Sequence, residues 1–238
     1  MQENRQTAAY HRCGRTDVGV SAFGQVVSIA LRSNVTEGKG VFFPENFCRE
    51  KAQSSTTGEI DYPVVLNRVL PPEIRVLAWC PVEKSFSARF SCLSRTYKYY
   101  FPKGNLKIEK MRTACHYLLG EHDFRNFCKI DVAKNGFAHC TRCITAADVT
   151  VEDSGSKSGV ETNDGQGESD DSVDARILCL TITGKAFLWH QIRCILSVLF
   201  LIGQGKENPE VVLDLLDVEH HPGKPQYNLA LGENFCII

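Results

Sequence analysis

The sequence lacks a long uninterrupted apolar run, which argues against a membrane-spanning helix. Its longest apolar stretch, residues 187–202, is interrupted by His190, Gln191 and Arg193, whereas a span needs about 20 consecutive apolar residues. No internal repeat is visible either. The apolar fraction of 43% and the charged fraction of 23% are typical of a globular chain with ample length for a core.

The chain also lacks a strong net charge, but its formal value of −1 hides an uneven distribution. Residues 152–174 contain eight acids and one lysine, and they are rich in Ser and Gly. Such a composition cannot bury enough apolar surface to fold, so we predict a disordered acidic insert. The rest of the chain carries 26 bases and 20 acids, and this mildly basic body suits a phosphate-binding surface.

Regular cysteine spacing is absent as well. The eleven cysteines are scattered and odd in number, so we interpret them as reduced thiols rather than as a disulfide scaffold. Cys140 and Cys143 form one C-x-x-C pair. A zinc site would need two further ligands at similar spacing, and since none is evident we expect no bound metal.

Strand-like and helix-like segments follow each other without a regular βαβ period, which predicts an α+β fold. Strands are predicted where apolar residues alternate and helices where they recur with helical spacing. A further helix is predicted to begin at Asn208-Pro209, with Asn as the N-cap. The predicted strands are 24–31, 74–80, 95–101, 144–151 and 176–183, and the predicted helices are 64–70, 106–119 and 188–203.

The stretch GRTDVGVSA, residues 14–22, is the most informative in the chain. Asp17 follows Arg15 by two positions and lies between Gly14 and Gly19. Glycines let a loop approach a ligand closely, and an aspartate can serve as a nucleophile or a base. Taken alone, however, an acid beside glycines is also what an ordinary turn contains.

Two further segments contain residues that could take part in chemistry. Arg193 is the only charged residue between Lys185 and Lys206; buried there, it would need a carboxylate partner, although its head could instead reach solvent. His190 lies on the same helical face and suits a structural hydrogen bond better than catalysis. Tyr97 could stack on a base or assist a proton transfer, or it could be a core strand residue.

Four segments occur in the same order as the motifs of the TruA-type tRNA pseudouridine synthases, which the chain resembles. They are GRTDVGVSAFGQV, FSARFSCLSRTYKYYF, GEHDFRNFCKIDV and KAFLWHQIRCILSVLFLIGQG. The stretches VLNRVLPPEIRVLAWCPVE and HDFRNFCKIDV are most similar to the eukaryotic branch of this family, the tRNA pseudouridine-38/39 synthases. The resemblance covers residues 10 to about 230, apart from the acidic insert.

The resemblance implies isomerisation of uridine to pseudouridine in the anticodon stem-loop of tRNA, at positions 38 or 39. The reaction breaks the N1–C1′ bond and forms a C5–C1′ bond without redox change, so we expect no cofactor. The resemblance also implies a homodimer and two α+β halves that flank a basic cleft. We assign the halves to residues 1–105 and 106–238, and we expect the nucleus, the cytoplasm or both as the location.

Individual roles also follow from the resemblance. Asp17 is implied as the nucleophile, with Arg193 as its ion-pair partner and Tyr97 as the active-site tyrosine. Arg15 is implied to fill the space that the target uridine leaves when it is flipped out of its stack; a salt bridge to a nearby acid is the alternative. Val18 departs from the Lys or Ala usual after this aspartate, and we expect slightly weaker RNA binding from it.

Four other basic residues are candidates for phosphate contacts, although surface Lys and Arg are common and each indication is weak. They are Arg89, Arg95, Lys98 and Arg142.

A non-catalytic tRNA-binding protein or an inactive fragment that keeps the scaffold is the alternative interpretation. The family carries a strand and a helix ahead of the GRTDVGVSA stretch, whereas thirteen residues precede Gly14 here. We therefore expect the chain to be a fragment or an incomplete gene product. The presence of Asp17, Arg15, Tyr97 and Arg193 together favours the enzyme, since a binding protein does not need the acid.

Overall fold

A computed structural model describes residues 8–16, 19–43, 58–129, 139–152, 174–231 and 235–237 of the chain. Its contacts divide the chain into two compact units. Unit 1 comprises residues 1–13 and 26–92, and unit 2 comprises residues 14–25 and 93–238. The predicted boundary between residues 105 and 106 stays a prediction. No helix in the described ranges is long and apolar enough to cross a membrane.

The described residues of unit 1 contain one short helix and one short strand pair. Strand β1 (His11–Arg12) pairs antiparallel with β3 (Val27–Ser28). Helix α1 (Tyr62–Asn67) begins after Asp61, whose side chain accepts a hydrogen bond from the Val64 backbone nitrogen at 3.1 Å. This cap satisfies one of the amides that the first turn of a helix leaves without an intrahelical partner.

The sequence predicted more β-structure in unit 1 than the structure contains. The strand expected over residues 24–31 extends over two residues only. The prediction of a strand over residues 74–80 is wrong, because no described strand pairs with this segment. The amide side chain of Asn67 instead accepts a hydrogen bond from the Val76 nitrogen at 2.8 Å and donates one to the Val76 oxygen at 2.9 Å. Alternating apolar residues do not form a strand where no partner strand supplies the backbone hydrogen bonds.

Unit 2 is built on a six-stranded mixed sheet with the order β2-β8-β4-β7-β6-β5. Strand β4 lies in the interior and runs antiparallel to both of its neighbours, whereas β2 and β8 are parallel. The strands are β2 (Ser21–Ala22), β4 (Arg95–Pro102), β5 (Gly120–Asp123), β6 (Thr141–Val151), β7 (Ile177–Gly184) and β8 (Phe235–Ile237).

One face of this sheet is covered by helices, and the alternation along β4 follows that division. Tyr99 and Phe101 are each 4% exposed within the core, and Tyr97 packs against the same core. These three side chains share a face because successive residues of a strand point to opposite sides. The prediction of a strand over residues 95–101 is confirmed.

The helices over that face are α2 (Ile108–Tyr117) and α3 (Gln191–Gly203), and α4 (Val211–Leu216) follows them in the chain. Gly203 lets α2 and α3 approach closely, because a Cβ at this position would lie 2.7 Å from the Met111 sulfur. The predicted helices over 106–119 and 188–203 are confirmed with later starts. The predicted cap of α4 is wrong, since Glu210 and not Asn208 occupies the N-cap position.

The two ends of the acidic insert are held by ion pairs. The carboxylate of Glu152 lies 3.1 Å from the Lys98 ammonium, and that of Asp174 lies 2.6 Å from both the Lys103 ammonium and the Arg176 guanidinium. Residues 153–173, on which the prediction of disorder depends, lie outside the described part of the chain.

The six-stranded sheet of unit 2, with helices packed on one face, confirms the predicted α+β class.

Candidate active site

The loop that contains Asp17 begins against the sheet of unit 2. Gly14 is buried, and its backbone nitrogen donates to the Gln25 side-chain oxygen at 3.2 Å. A Cβ on Gly14 would lie 3.6 Å from the Ile237 side chain of β8. Asp17 and Val18 themselves lie outside the described residues, whereas the residues on either side of them are among those described.

The return of this loop to the sheet depends on Gly19. Its φ of +83° lies in the left-handed region, which side chains other than glycine enter at a cost of about 1–2 kcal/mol. Val20 then packs against the core and leads into β2. Both ends of the Asp17 loop are therefore fixed against the sheet.

A row of residues across the sheet connects this loop to Tyr97. Ala22 of β2 is in register with Ile237 of β8, and Ile237 is in register with Tyr97 of β4. Because neighbouring strands are about 4.8 Å apart, Tyr97 lies about 10 Å from the strand that follows the Asp17 loop. Residues directly opposite each other point to the same face, so Tyr97 and Ile237 share the face on which Gly14 lies.

A residue of a second predicted motif, the one that begins at Lys185, lies next to Tyr97. The Phe187 ring lies edge-to-face against the Tyr97 ring, with 5.2 Å between the centroids. Phe187 also covers Gly184, where a Cβ would lie 3.0 Å from the ring and 2.7 Å from the Cys143 oxygen. Only glycine leaves room for this approach, and no pattern in the sequence indicates the contact.

Arg95 holds the start of the segment that contains Phe187. Its guanidinium donates to the Lys185 carbonyl oxygen, and the hydroxyls of Thr96 and Thr183 lie 2.9 Å apart beside it. The Arg95 side chain therefore contacts the backbone of unit 2. The predicted role of Arg95 in phosphate binding stays a prediction.

Arg193 is half-buried in the first turn of α3 and is tied to the segment that precedes β8. Its Nε donates to the Ala230 oxygen at 2.7 Å. The Ser197 hydroxyl donates to the Arg193 oxygen at 2.8 Å and accepts from the Ala230 nitrogen at 2.9 Å. Because Asp17 lies outside the described residues, the Asp17–Arg193 pair stays a prediction.

His190 adopts a left-handed conformation, with a φ of +60°, directly before α3. This conformation is uncommon for residues other than glycine and signals a constrained backbone. The side chain of Gln191 accepts a hydrogen bond from the Leu188 nitrogen at 2.7 Å, which closes the turn. The His190 ring lies 4.8 Å from the Trp189 ring, consistent with a structural role.

The remaining predicted RNA contacts are not brought together with Tyr97. Lys98 pairs with Glu152, and this hydrogen bond raises the pKa of Lys98. Strand alternation directs Lys98 to the opposite face of the sheet from Tyr97. Arg142 donates to the oxygens of His139 and Thr141. Their predicted contacts with phosphate stay predictions.

Arg15 and Arg89 are both exposed, and Arg89 belongs to unit 1. The Arg89 guanidinium lies 5.0 Å from the centre of the Phe90 ring. The assignments of Arg15 to the vacated uridine position and of Arg89 to phosphate stay predictions as well.

The cysteines give no sign of a metal centre within the described ranges. No group of three potential ligands that could hold a metal is present there, and none of the ten described cysteines forms a disulfide. Cys140 is buried whereas Cys143 is exposed.

Comparison with known proteins first gives the class. Residues 114–235 match the sequence family described as tRNA pseudouridine synthase. This range contains strand β7, which pairs with β4, and helix α3. A protein named tRNA pseudouridine synthase A from Methanosarcina acetivorans is 32% identical over 98% of this chain and 70% of its own length. The chain therefore belongs to the tRNA pseudouridine synthase family.

Eukaryotic relatives are more similar still. A tRNA pseudouridine(38/39) synthase from Bos taurus is 51% identical over 97% of this chain, and one from Saccharomyces cerevisiae is 41% identical over 94%. The chain covers 45% and 44% of these two proteins, so it spans about half the length of the eukaryotic relatives it matches.

Proposed function

We propose that this protein isomerises uridine to pseudouridine in the anticodon stem-loop of tRNA, at position 38 or 39, with Asp17 as the nucleophile. The row Ala22–Ile237–Tyr97 is the observation that carries the proposal. It joins Ala22, five residues after Asp17 in the sequence, to Tyr97 across the sheet. The names of the eukaryotic relatives support the choice of substrate and position.

The reaction needs a group that can separate the base from its sugar and let it return through a different atom. The N1–C1′ bond breaks, C5 bonds to C1′, the proton on C5 leaves and N1 gains a proton. A carboxylate such as that of Asp17 can act by covalent catalysis or by stabilising a sugar cation, and then accept the proton. No external oxidant, reductant or energy source is required.

Tyr97 is suited to hold the base while it is detached. Its ring is held by the edge-to-face contact with Phe187, which is present without substrate. A fixed aromatic face can stack on a flipped uracil, and the phenol can assist a proton transfer. Preorganised groups of this kind are effective because they need no rearrangement during the reaction.

Arg193 has one nitrogen committed to the Ala230 oxygen. A guanidinium carries five N–H donors in a planar fork, so this bond leaves a side that can face a carboxylate. Pairing with Arg193 would keep Asp17 ionised, since an adjacent positive charge lowers the pKa of a carboxyl group. The proposal assigns Arg193 this role and assigns Arg15 to the space that the flipped uridine leaves.

A carboxylate replacement tests the proposal. The Asp17→Asn variant should lose several orders of magnitude in turnover of an anticodon stem-loop RNA, because an amide cannot replace a nucleophilic carboxylate. Its affinity for the RNA should stay nearly unchanged, since phosphate contacts dominate binding. Pseudouridine is detected by carbodiimide mapping, which also identifies the modified position.

Asp214→Asn is the matched control, because this acid is exposed on α4. It should keep the wild-type rate. An Asp17→Asn variant that keeps more than about a tenth of the wild-type rate would contradict the assignment of Asp17. A wild-type protein that binds the RNA but forms no pseudouridine would favour the alternative, a non-catalytic tRNA-binding protein.

The proposal includes a homodimer, as the family resemblance implies, and a location in the nucleus, the cytoplasm or both. Sedimentation analysis at micromolar concentration tests the oligomeric state. A monomer at all concentrations would contradict this part of the proposal without affecting the chemistry assigned to Asp17.

A further inference from the structure

Trp189 is an exposed aromatic side chain whose neighbours in the chain are half-buried or buried. It is 56% exposed, whereas Phe187 and Leu188 pack against the core and Gln191 is 1% exposed. This loop packs its other apolar side chains against the core and leaves its largest one in water. It therefore lacks the stabilisation that burying the indole ring would give. An exposed Trp of this kind is typical of a binding surface.

The position of Trp189 is fixed by its backbone rather than by burial of its ring. Its carbonyl oxygen accepts a hydrogen bond from the Lys129 nitrogen at 3.0 Å. On its other side, His190 takes the left-handed conformation that redirects the chain into α3. Strained backbone of this kind persists where the surrounding structure enforces it, and such sites often bind ligands.

A cation accompanies the ring. The Lys129 ammonium lies 5.7 Å from the centre of the Trp189 ring, near the outer limit of about 6 Å for a cation–π contact. Lys129 is itself exposed. A flat aromatic surface beside a positive charge is the combination that proteins use to bind a nucleotide, with the base stacked on the ring and the phosphate near the cation.

Trp189 is also close to the candidate active site. It follows Phe187, which contacts Tyr97, by two positions, so the Cα atoms of Phe187 and Trp189 are at most about 7 Å apart. Trp189 is thus joined through Phe187 to the ring that is proposed to hold the target base, which favours a role in binding a neighbouring nucleotide. Single-stranded loop bases are the part of an RNA that aromatic side chains recognise by stacking.

We infer that Trp189 and Lys129 form a binding site for one unpaired nucleotide of the RNA substrate, next to the target uridine. This inference rests on the proposed function, because it takes RNA as the ligand. Trp189 stacks on the base and Lys129 binds the adjacent phosphate. Neither residue takes part in the bond changes, so they affect substrate binding and leave the chemical step unchanged.

Kinetics separate this role from a catalytic or a purely structural one. Trp189→Ala should raise the KM for an anticodon stem-loop RNA about 5- to 100-fold, with kcat within about twofold of wild type. Trp189→Phe should recover most of this loss, because it keeps a stacking face. Lys129→Gln should raise KM and lower the salt dependence of binding by about one phosphate contact.

Two control variants remove exposed side chains of the same kind, one apolar and one cationic, at the far ends of the neighbouring elements. Ile177→Ala removes an exposed apolar side chain, 45% exposed, at the opposite end of β7 from Gly184. Lys206→Gln removes an exposed cation beyond the other end of α3, about 20 Å from its start. Both variants should keep the wild-type KM.

Fluorescence gives a readout that does not depend on activity. The chain has two tryptophans, so Trp79→Phe leaves Trp189 as the only indole. Adding the stem-loop RNA should quench its emission with the same Kd as direct binding. Emission that changes with protein concentration and not with RNA would assign the surface to a second copy of the chain and overturn the inference.

The outcomes distinguish this inference from the proposed function. An active wild-type protein with an unchanged KM in Trp189→Ala, or with a loss in kcat alone, overturns the nucleotide site and leaves the function intact. A protein that forms no pseudouridine but shows quenching of Trp189 by RNA refutes the proposed activity and supports the nucleotide site.

Discussion

Replacing Phe187 by alanine should separate the orientation of Tyr97 from the stability of the fold. A fully buried Phe→Ala change costs about 3–5 kcal/mol, and Phe187 is only half-buried. We therefore expect the free energy of unfolding to fall by about 2 kcal/mol. This figure includes about 0.5–1.5 kcal/mol for the edge-to-face contact with Tyr97.

Phe200 provides a control of almost the same geometry. Its ring lies 5.2 Å from Phe101 at an angle of 87°, and Phe187 lies 5.2 Å from Tyr97 at 86°. Phe200 is also half-buried, and it lies within α3, whereas Phe187 precedes that helix. Phe200→Ala should therefore cost a similar free energy of unfolding without any effect on Tyr97.

The two variants should differ in kcat. Without Phe187, the Tyr97 ring can rotate away, and misplacing a catalytic group by about 1 Å costs on the order of 100-fold in rate. We expect kcat to fall about 10- to 100-fold in Phe187→Ala and to stay within about twofold in Phe200→Ala. Urea unfolding followed by circular dichroism gives the stabilities, and single-turnover pseudouridine formation at low temperature gives the rates. Equal rates in the two variants would refute the idea that Phe187 positions Tyr97.

Three other changes test separate parts of the structure. Arg193→Met should abolish activity and lower the free energy of unfolding by about 1–3 kcal/mol, and a variant with wild-type turnover would exclude pairing with Asp17. Burial favours the neutral form of Asp123, but hydrogen bonds from Arg125 outweigh it and lower the pKa. This stabilisation is present above the ordinary carboxyl pKa and is lost as pH falls, so Asp123→Asn should shrink the difference in urea midpoint between pH 6 and pH 3. Deleting residues 153–173 changes the net charge from −1 to +4 and should strengthen tRNA binding at low salt while the melting temperature stays unchanged.

Local pattern was sufficient to predict the elements that carry the site. The alternation of Tyr97, Tyr99 and Phe101 predicted β4, and the apolar run after Gln191 predicted α3, because each pattern matches the period of its own structure. The same reasoning was wrong for residues 74–80. There the pattern was present, but whether a strand forms depends on a partner that lies elsewhere in the chain.

The contacts that define the site were not predictable for a related reason. Phe187 against Tyr97, and Lys129 against Trp189, join residues 90 and 60 positions apart. Such pairings come from the sheet order and from the turn at His190, and no periodicity in one sequence encodes them. The motifs identified which residues matter, and only the tertiary structure gives their neighbours.

The short strand β8 has a consequence for the time at which the site can form. It lies between β2 and β4, and it pairs Ala22 with Ile237, residues more than 200 positions apart in the chain. Pairings of such long range are slow to form because the intervening chain must first be brought together. During synthesis β2 leaves the ribosome more than 200 residues before β8, so the pairing of the two strands is complete only after residue 237 has emerged. The newly made protein should therefore form the β4–β7–β6 part of its sheet before β2 and β8 complete the candidate site.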